Sequence, residues 1–321
     1  DYQTIYREGD PPVSWADVDV AFSDDDSSSF PTVRFVITGL LDGNDETFLL
    51  DGSQFPLATG VAGQVSAGGL YTVTIAVGPG TADVVVVDAG GGGFNAVEVR
   101  TLLQSAGYRH LDNDMPSDGD RQAVVTVSDG FSSSLPARAT VDVDPVNDAP
   151  TFTSFAGAVE GTLEDTTVEI SFADLAGQSD AADVDGSVTA YVVRAVAGGT
   201  LRIGPSAALA APYSPGTNDV IDAVNRAYWT PPANAIGALN AFRVVAREND
   251  LAASAGSATA WVDVAPVNDR PVAVADRYAV VADTNLKVNP PGVLGNDIDV
   301  DGDGLSANLG TPPASGKVTL L

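Results

Sequence analysis

The chain has 321 residues with 43 acidic and 15 basic side chains, and its formal charge is -28. This charge excludes nucleic acid and anionic membrane surfaces as partners, because both are bound through Lys and Arg that displace counterions. The absence of cysteine excludes disulfides, iron–sulfur clusters, thiolate zinc sites and a cysteine nucleophile. A hydrophobic content of 44% nevertheless predicts real cores, and the length allows two or three domains.

Short segments rich in Val, Thr, Ala and aromatic residues alternate with turn signals along the chain, and this pattern is typical of β-strands. The predicted strands are Ala123–Ser128, Ala139–Asp144, Val188–Val193, Phe242–Ala246 and Thr259–Val264. A helical period is confined to Val97–Ala106 and its repeat partner Val220–Ala227. The sequence therefore predicts an all-β protein built of tandem antiparallel β-sandwiches in an extended array.

One sequence repeat sets the domain organisation. VNDAP at 146–150 recurs as VNDRP at 267–271, which is 121 residues later. The same spacing aligns Asp129 with Asp250 and Tyr108 with Trp229. An aromatic residue that recurs at one position of a repeat is expected in the core. The repeat predicts domains at 1–146, 147–267 and 268–321.

The three predicted repeats differ in length. The first is enlarged and carries a Gly-rich insertion at Gly90–Gly93, and the third is too short to bury a sheet face. We therefore expect the parent protein to continue past Leu321. A start at Asp1 without Met indicates an interior piece or a mature fragment, and no signal peptide or membrane-spanning run is visible.

The linkers Asp144–Pro150 and Ala265–Pro271 resemble those of cadherins and of the bacterial cadherin-like repeats in large RTX-type calcium-dependent adhesins. In that family an Asn-Asp pair between two domains coordinates calcium, and a Pro opens the next domain. The resemblance implies an Asp-x-Asp ligand pair at the top of the next domain, and a Glu from the early part of the preceding one. The Glu candidates are Glu8 for the first linker and Glu160 or Glu164 for the second.

Physical arguments support calcium independently of the resemblance. Calcium takes six to eight oxygens from carboxylates, amides and backbone carbonyls, and acids alternating with small residues can supply them. Asp250 ends the strand before the last strand of its repeat, so antiparallel pairing places it at the end opposite the 267–271 linker, beside Asn147 and Asp148. The same reasoning places Asp129 near Asp24–Asp26.

Together these arguments predict calcium ligands in the linkers, in the acidic loops and at the strand ends. The predicted ligands are Glu8, Asp24, Asp26, Asp129, Asn147, Asp148, Glu164, Asp183, Asp185, Asp250, Asn268, Asp269, Asp297, Asp299, Asp301 and Asp303.

Two other interpretations of these motifs are less consistent with the sequence. Asn-Asp-x-Pro is also a good turn sequence, but a turn does not need so many converging acids. Asp297–Asn308 has the start of an EF-hand loop, but its twelfth residue is Asn308 and no flanking helices are visible. In the second linker Ala265 and Arg270 replace Asp144 and Ala149, so fewer ions are expected there.

An enzyme is not expected. The one histidine, His110, is predicted to be a surface loop residue, and no serine lies in a nucleophile elbow. The Gly90–Gly93 run lacks the Lys-Ser/Thr of a phosphate-binding loop. Trp15 and Tyr213 have no repeat partner and stay open as parts of a sugar-binding platform.

The predicted function is a calcium-rigidified extender segment of a large secreted or cell-surface adhesin of a Gram-negative bacterium. The alternatives are a glycan- or peptide-binding module, centred on the first repeat, and an accessory domain of a secreted hydrolase. The expected cofactor is Ca²⁺, and the expected partners are neighbouring repeats of the same polypeptide, with a cell-surface glycan or protein as a further ligand. A monomer without direct membrane insertion is expected.

Overall fold

The computed structural model describes residues 1–112 and 114–320, so Asn113 and Leu321, the last residue of the predicted third repeat, lie outside the description. The chain divides into two compact units. Unit 1 comprises residues 1–148 and 184–186, and unit 2 comprises residues 149–183 and 187 onward.

Unit 1 is a β-sandwich. Among its described residues, one sheet has the order β1-β11-β10-β3-β8-β7-β6 and the other the order β2-β9-β4-β5. The strands are β1 (Tyr2–Arg7), β2 (Val13–Ser14), β3 (Thr32–Thr38), β4 (Glu46–Leu50), β5 (Ser53–Pro56), β6 (Val61–Val65), β7 (Tyr71–Gly78), β8 (Thr81–Asp88), β9 (Gly107–His110), β10 (Gly119–Ser128) and β11 (Ala137–Asp144). A short 3-10 helix, Gly43–Asp45, precedes β4.

Alternating side chains of the two sheets form the core of unit 1. Val33, Phe35 and Ile37 on β3 are buried while their neighbours point outward, as a strand with one covered face requires. Phe35 contacts Phe48 of the opposite sheet edge-on, with 5.1 Å between ring centroids. Both belong to one continuous hydrophobic cluster, which holds the sheets together.

Unit 2 contains a second, smaller β-sandwich. Its described sheets have the orders β12-β20-β19-β14-β17 and β13-β18-β15-β16. The strands are β12 (Glu160–Leu163), β13 (Val168–Ile170), β14 (Val188–Val196), β15 (Thr200–Gly204), β16 (Ala211–Pro212), β17 (Val220–Ile221), β18 (Arg226–Thr230), β19 (Gly237–Glu248) and β20 (Ala258–Ala265). The prediction of tandem antiparallel β-sandwiches is confirmed.

The sequence repeat is visible in the two folds. β11 and β20 begin and end 121 residues apart, and all five predicted strands lie within observed ones. Tyr108 on β9 and Trp229 on β18 are both fully buried, so the expectation that this aromatic position belongs to the core is confirmed.

In each sandwich the first strand pairs parallel to the last strand, whereas the other strand pairs are antiparallel. β1 runs beside β11 from Tyr2 opposite Ala139 to Arg7 opposite Asp144. β12 runs beside β20 and ends with Leu163 opposite Ala265. Because the paired strands run in the same direction, the residue after the first strand lies beside the start of the linker that follows the last strand.

The helix predicted at Val97–Ala106 is confirmed as α1 (Ala96–Ser105). Its N-terminus is a capping box. The Asn95 side chain accepts hydrogen bonds from Val97 N and Glu98 N, and the Glu98 carboxylate accepts one from Asn95 N. The helix predicted at Val220–Ala227 is wrong.

The segment Val220–Ala227 instead contains β17 and the start of β18. Between the two strands, Asp222 Oδ1 accepts hydrogen bonds from Val224 N at 2.9 Å and Asn225 N at 2.7 Å. An Asp that bonds the backbone two and three residues ahead favours a turn, and this local bond replaces the helical ladder. A helix that was not predicted, α2 (Phe172–Gln178), is capped by Ser171.

In the described part of 266–320 the chain forms no strand ladder. It contains a 3-10 helix, Gly292–Leu294, and one isolated bridge between Val272 and Ile298. The truncated third repeat therefore stays a prediction. None of the helices among the described residues has the length and apolar character needed to cross a bilayer.

Trp229→Ala tests the core of unit 2. The indole is fully buried and its Nε1 donates to Gly198 O at 2.7 Å, so its loss is expected to lower the free energy of unfolding by about 3–5 kcal/mol. Urea unfolding followed by circular dichroism measures the change. Leu209→Ala removes a side chain that is 72% exposed and is the matched control, expected within about 0.5 kcal/mol of the parent chain. Equal effects would contradict the assignment of Trp229 to the core.

Candidate metal centres

The first linker is held by a carboxylate on each side. Glu8 follows β1 directly, and its Oε2 accepts a hydrogen bond from Val146 N at 2.8 Å. Two residues further on, Asp148 N donates to Asp185 Oδ2 at 3.0 Å. The parallel pairing of β1 with β11 explains the first contact, since it sets Glu8 beside the residues that follow Asp144.

The second linker repeats this arrangement. Glu164 follows β12 directly, and its Oε1 accepts from Val267 N at 2.5 Å. Asp269 N donates to Asp301 Oδ2 at 2.6 Å. Of the two Glu candidates the structure places Glu164 at the linker, whereas Glu160 starts β12 and its carboxylate accepts from Gly161 N.

Around each linker three carboxylates converge. Glu8, Asp114 and Asp148 each bring one oxygen within 4.8 Å of the others, and so do Glu164, Asp269 and Asp301. Ligands held at 2.3–2.6 Å from one calcium ion lie no more than about 5 Å apart. The spacing of the oxygens therefore fits a single ion at each linker.

The electrostatics of these groups also fit a cation. Burial, together with the charges of Asp148, Asp185 and Asp114, raises the pKa of Glu8 although Val146 N bonds to it. Burial and the neighbouring carboxylates, Asp301 first, likewise raise the pKa of Asp269. Gathering these charges is therefore unfavourable for the protein alone.

One oxygen of the second group has no partner within the described residues. Asp269 Oδ2 is buried and makes no hydrogen bond. A buried carboxylate oxygen without a donor costs free energy, and a hard cation is the ligand that best satisfies it. The oxygen spacing of Glu164, Asp269 and Asp301 and the unbonded oxygen of Asp269 thus fit a calcium ion.

The Asn of each linker adopts the same conformation. Asn147 Nδ2 donates to Asp148 O at 3.1 Å, and Asn268 Nδ2 donates to Asp269 O at 2.9 Å. In both linkers the Asn side chain thus bends towards the backbone of the Asp that follows it.

A third group lies in unit 1, where Asp24, Asp26 and Asp129 bring oxygens within 4.8 Å. It is more exposed than the linker groups. Backbone hydrogen bonds, first from Ser27, lower the pKa of Asp24, and backbone bonds, first from Ser132, lower that of Asp129. Amide donors already compensate these charges in part, so this group has less need of a cation.

Two further predicted ligands have different surroundings. In unit 2 the carboxylate of Asp183 lies near that of Glu248, which was not predicted, and the two bring oxygens within 4.8 Å of each other. Asp250 is exposed in the turn after β19 and joins none of the carboxylate groups found among the described residues.

The acidic loop after Ile298 shapes the backbone around Asp301. Asp299 Oδ1 accepts from Asp301 N at 3.0 Å and from Asp303 N at 3.4 Å. Asp297 Oδ1 accepts from Val274 N at 2.8 Å. Asp297 and Asp299 thus order the loop, and Asp301 supplies the oxygen of the carboxylate group.

Sequence reasoning missed Asp114 and Glu248. Asp114 lies in the acidic run after His110, but its register position in the next repeat is Ala235, so the repeat did not mark it. Glu248 is the last residue of β19, and the strand-end argument chose Asp250, two residues further on.

The expectation that His110 is a surface loop residue is wrong, and the question left open for Trp15 and Tyr213 can be answered. His110 is 1% exposed at the end of β9, and its Nδ1 and Nε2 lie 2.7 Å from Asp112 O and 3.0 Å from Asp42 Oδ2. Trp15 is also 1% exposed and packs edge-on against Tyr108, so it cannot present a sugar platform. Tyr213 is half-buried and packs against the core of unit 2.

Unit 1 also has an open cleft of about 490 Å³ beside the third carboxylate group. Its lining combines apolar side chains with carboxylates and hydroxyls. The lining includes Phe22, Phe30, Leu103, Val127, Asp24 and Asp129.

Comparisons with known proteins give a match to one protein family and matches to solved structures. Residues 268–321 match the family described as Bacterial Ig domain. A comparison with curated proteins finds no match.

Similar solved structures include domains EC21-23 of human CDH23, at 16% identity over 87% of this chain and 78% of that one, with a TM-score of 0.34. Extracellular cadherin domains 1-4 of protocadherin gamma B7 are similar at 12% identity and a TM-score of 0.32, over 88% of this chain and 54% of that one. Mouse cadherin-23 EC22-24 is similar at 14% identity and a TM-score of 0.27, over 83% and 62%. The chain thus spans about half the length of the protocadherin structure.

Asp269→Asn is expected to stabilise the calcium-free protein at pH 7. A raised pKa means that the folded state binds this proton more tightly than the unfolded state, so ionised Asp269 opposes folding and the penalty fades as the pH falls. The gain in melting temperature over the parent chain, measured in chelator, should therefore shrink as the pH is lowered from 7 towards the ordinary pKa of an unfolded Asp, about 3.9. Asp263→Asn, which removes one charge from an exposed strand position, is the control. An equal gain from both variants would contradict a local effect.

Proposed function

We propose that the chain is a calcium-rigidified structural segment of a large secreted or cell-surface bacterial adhesin. The observation that carries the proposal is the linker pattern that occurs twice. Each linker is bonded by a Glu from the end of a first strand and by an Asp from a later acidic loop, and three carboxylates converge there.

Calcium is the cofactor that this donor set favours. The groups offer only oxygens, and the chain has no cysteine and one histidine, so the harder cations are favoured over zinc. Near the first linker Glu8, Asp114 and Asp148 would hold the ion. Near the second linker Glu164, Asp269 and Asp301 would hold it, with Asn147 and Asn268 as further oxygen donors in the respective linkers.

Calcium would supply two things to the segment. It neutralises carboxylates that repel each other, and it ties residues far apart in sequence to one ion. Because the ligands converge only in the folded chain, binding stabilises that state by mass action. A chain exported unfolded from a calcium-poor cytosol would then fold and stiffen outside the cell, with neighbouring repeats as its partners.

The match of residues 268–321 to the Bacterial Ig domain family supports an extracellular setting, because such domains are usually extracellular. The net charge of -28 supports it as well, since a chain this acidic is best compensated where divalent cations are abundant.

Calcium removal tests the proposal. With free calcium at about a hundred times Kd, each site contributes about 2.7 kcal/mol, so chelation should lower the melting temperature by several degrees. The hydrodynamic radius should change as the linkers loosen. Calorimetry and analytical ultracentrifugation, with magnesium as the control cation, measure both quantities. The proposal fails if neither quantity responds to chelation.

The same titration distinguishes ligand residues from bystanders. In calcium Asp269→Asn should melt below the parent chain, the reverse of its order in chelator, because it loses a ligand. Asp250→Asn should follow the parent chain in both conditions. A D269N variant that keeps its advantage in calcium would remove Asp269 from the site.

A ligand-binding module is a second candidate, favoured by the cleft in unit 1. Its lining of apolar and polar side chains suits a small ligand such as a sugar residue of a glycan. The full chain should then be retained by particular structures on a glycan array, and Leu103→Trp, which fills the cleft, should abolish retention. Phe131→Trp, at a fully exposed neighbouring position, is the control. Absence of specific retention would leave the structural role alone.

A further inference from the structure

The outer face of one sheet in unit 2 carries three arginines. Arg243 and Arg247 lie four residues apart on β19, and Val244 between them points inward to the core. Arg194 of β14 lies in the bulge that precedes the pair of Ala195 with Arg243, so it is a neighbour of Arg243 across the two strands. Residues four apart on a strand are separated by about 13 Å. The three guanidinium groups therefore form one basic patch along the sheet.

The basic patch is not compensated by acidic side chains. On other faces, exposed arginines are paired, Arg7 with Asp144 at 2.8 Å and Arg34 with Asp83 at 2.6 Å. Within the part of the chain that the structure describes, no arginine of the basic patch forms an ion pair. The Nε of Arg247 is buried and has no hydrogen-bond partner there. In a chain with 43 acidic side chains, these cations are left available for an external anion.

The surroundings of the basic patch are not an open apolar surface. Val245, between two of the arginines, pairs with Val192, and both are 6% exposed. Thr259 of β20 stands opposite Arg243, and the half-buried Trp261 follows it on the same outer face. A ligand on this face would therefore meet guanidinium groups, a hydroxyl and an indole.

These groups fit a sugar that carries a carboxylate. A guanidinium presents its N–H donors in a planar fork that matches a carboxylate, and an indole offers an apolar face to the C–H face of a sugar ring. The separation of the arginines along the sheet lets one glycan chain bring several carboxylates to them. Nucleic acid is disfavoured because three arginines release few counterions, and a second copy is disfavoured because two chains of charge -28 repel each other.

We propose that this face of unit 2 binds an acidic glycan, a chain of sugars that carry carboxylates, through the basic patch and Trp261. The negative charge elsewhere on the protein does not prevent this, because charges more than about 8 Å away are screened at physiological ionic strength. The inference goes beyond the proposed function. The cleft of unit 1 is lined by Asp24 and Asp129, which would repel such a glycan, so the two sites would take different ligands.

Unit 1 provides an internal comparison. The positions 121 residues before Arg243 and Arg247 are Gln122 and Thr126 on β10, so the corresponding face of unit 1 lacks the basic patch. An exposed arginine of unit 1, Arg138 on β11, can therefore serve as a matched control for charge alone.

Calorimetric titration of the full chain with oligogalacturonate tests the proposal. The methyl-esterified oligomer is the matched ligand, because its carboxylates are neutral. Chelator is present throughout, since calcium could bridge the glycan to the acidic loops. The acidic oligomer should bind, the ester should not, and the affinity for the acidic oligomer should fall as salt is added. Equal binding of the ester, or binding that appears only when calcium is added, would overturn the proposal.

Variants of the arginines locate the site. Arg243→Gln removes the central guanidinium and should weaken binding about tenfold, as the loss of one charge-assisted contact does. Arg243→Lys keeps the charge without the planar fork and should restore only part of the affinity. Arg138→Gln makes the same change of charge in unit 1 and should leave the affinity unchanged. All three positions are exposed, and circular dichroism checks that the variants fold. Equal loss in Arg138→Gln, or no loss in Arg243→Gln, would remove the basic patch from the binding site.

Polyglutamate separates a glycan from an acidic polypeptide, because it carries carboxylates without sugar rings. Trp261→Ala should weaken the binding of oligogalacturonate, whereas Trp261→Phe, which keeps an aromatic ring, should retain most of it. Thermal melting of both variants shows whether this half-buried position still folds. If polyglutamate binds as tightly as oligogalacturonate, the partner is an acidic protein segment and the assignment to a glycan is wrong.

Discussion

The parallel pairing of the first and last strands of each sandwich is the constraint on which the candidate centres depend. It fixes the residue after β1 beside the residues after β11, and the residue after β12 beside those after β20. Glu8 and Glu164 lie 156 positions apart rather than 121, so sequence spacing alone does not relate them. The direction of the strands does relate them. Parallel pairing brings a Glu carboxylate to each linker, whatever the number of residues inserted between the first and the last strand of the sandwich.

The sequence was sufficient for the sandwich class, the core aromatic position and most of the acids that converge, because these follow from strand patterns and an ungapped repeat. It failed where the outcome depended on a local hydrogen bond, on a residue that the repeat does not share, or on a contact between residues far apart in sequence. Asp222 forms a turn that interrupts the segment Val220–Ala227, although the repeat predicted a helix. Asp114 could not be found by comparing repeats, because Ala235 occupies its position in the second one. His110 looked like a loop residue because its acceptor Asp42 is 68 positions away in sequence.

Unit 1 deals with charge in two opposite ways. At the linker, the Glu8, Asp114 and Asp148 carboxylates gather without a cationic side chain in the group, and an external cation is proposed to neutralise them. Inside the sandwich, the Asp42 and Glu46 carboxylates accept hydrogen bonds from the Arg121 guanidinium of the same chain. Phe242 in place of Arg121 shows that the fold does not need this charged group.

The first and last strands of each sandwich also determine how it would bear mechanical load. A pull that enters at the start of β1 and leaves at the end of β11 draws two parallel strands past each other in shear. All the hydrogen bonds of the pair are then loaded together, whereas an antiparallel hairpin pulled at its open end breaks them one by one. The pair in unit 1 runs from Tyr2 to Arg7 and that in unit 2 only from Glu160 to Leu163. Under tension the smaller sandwich would therefore yield first.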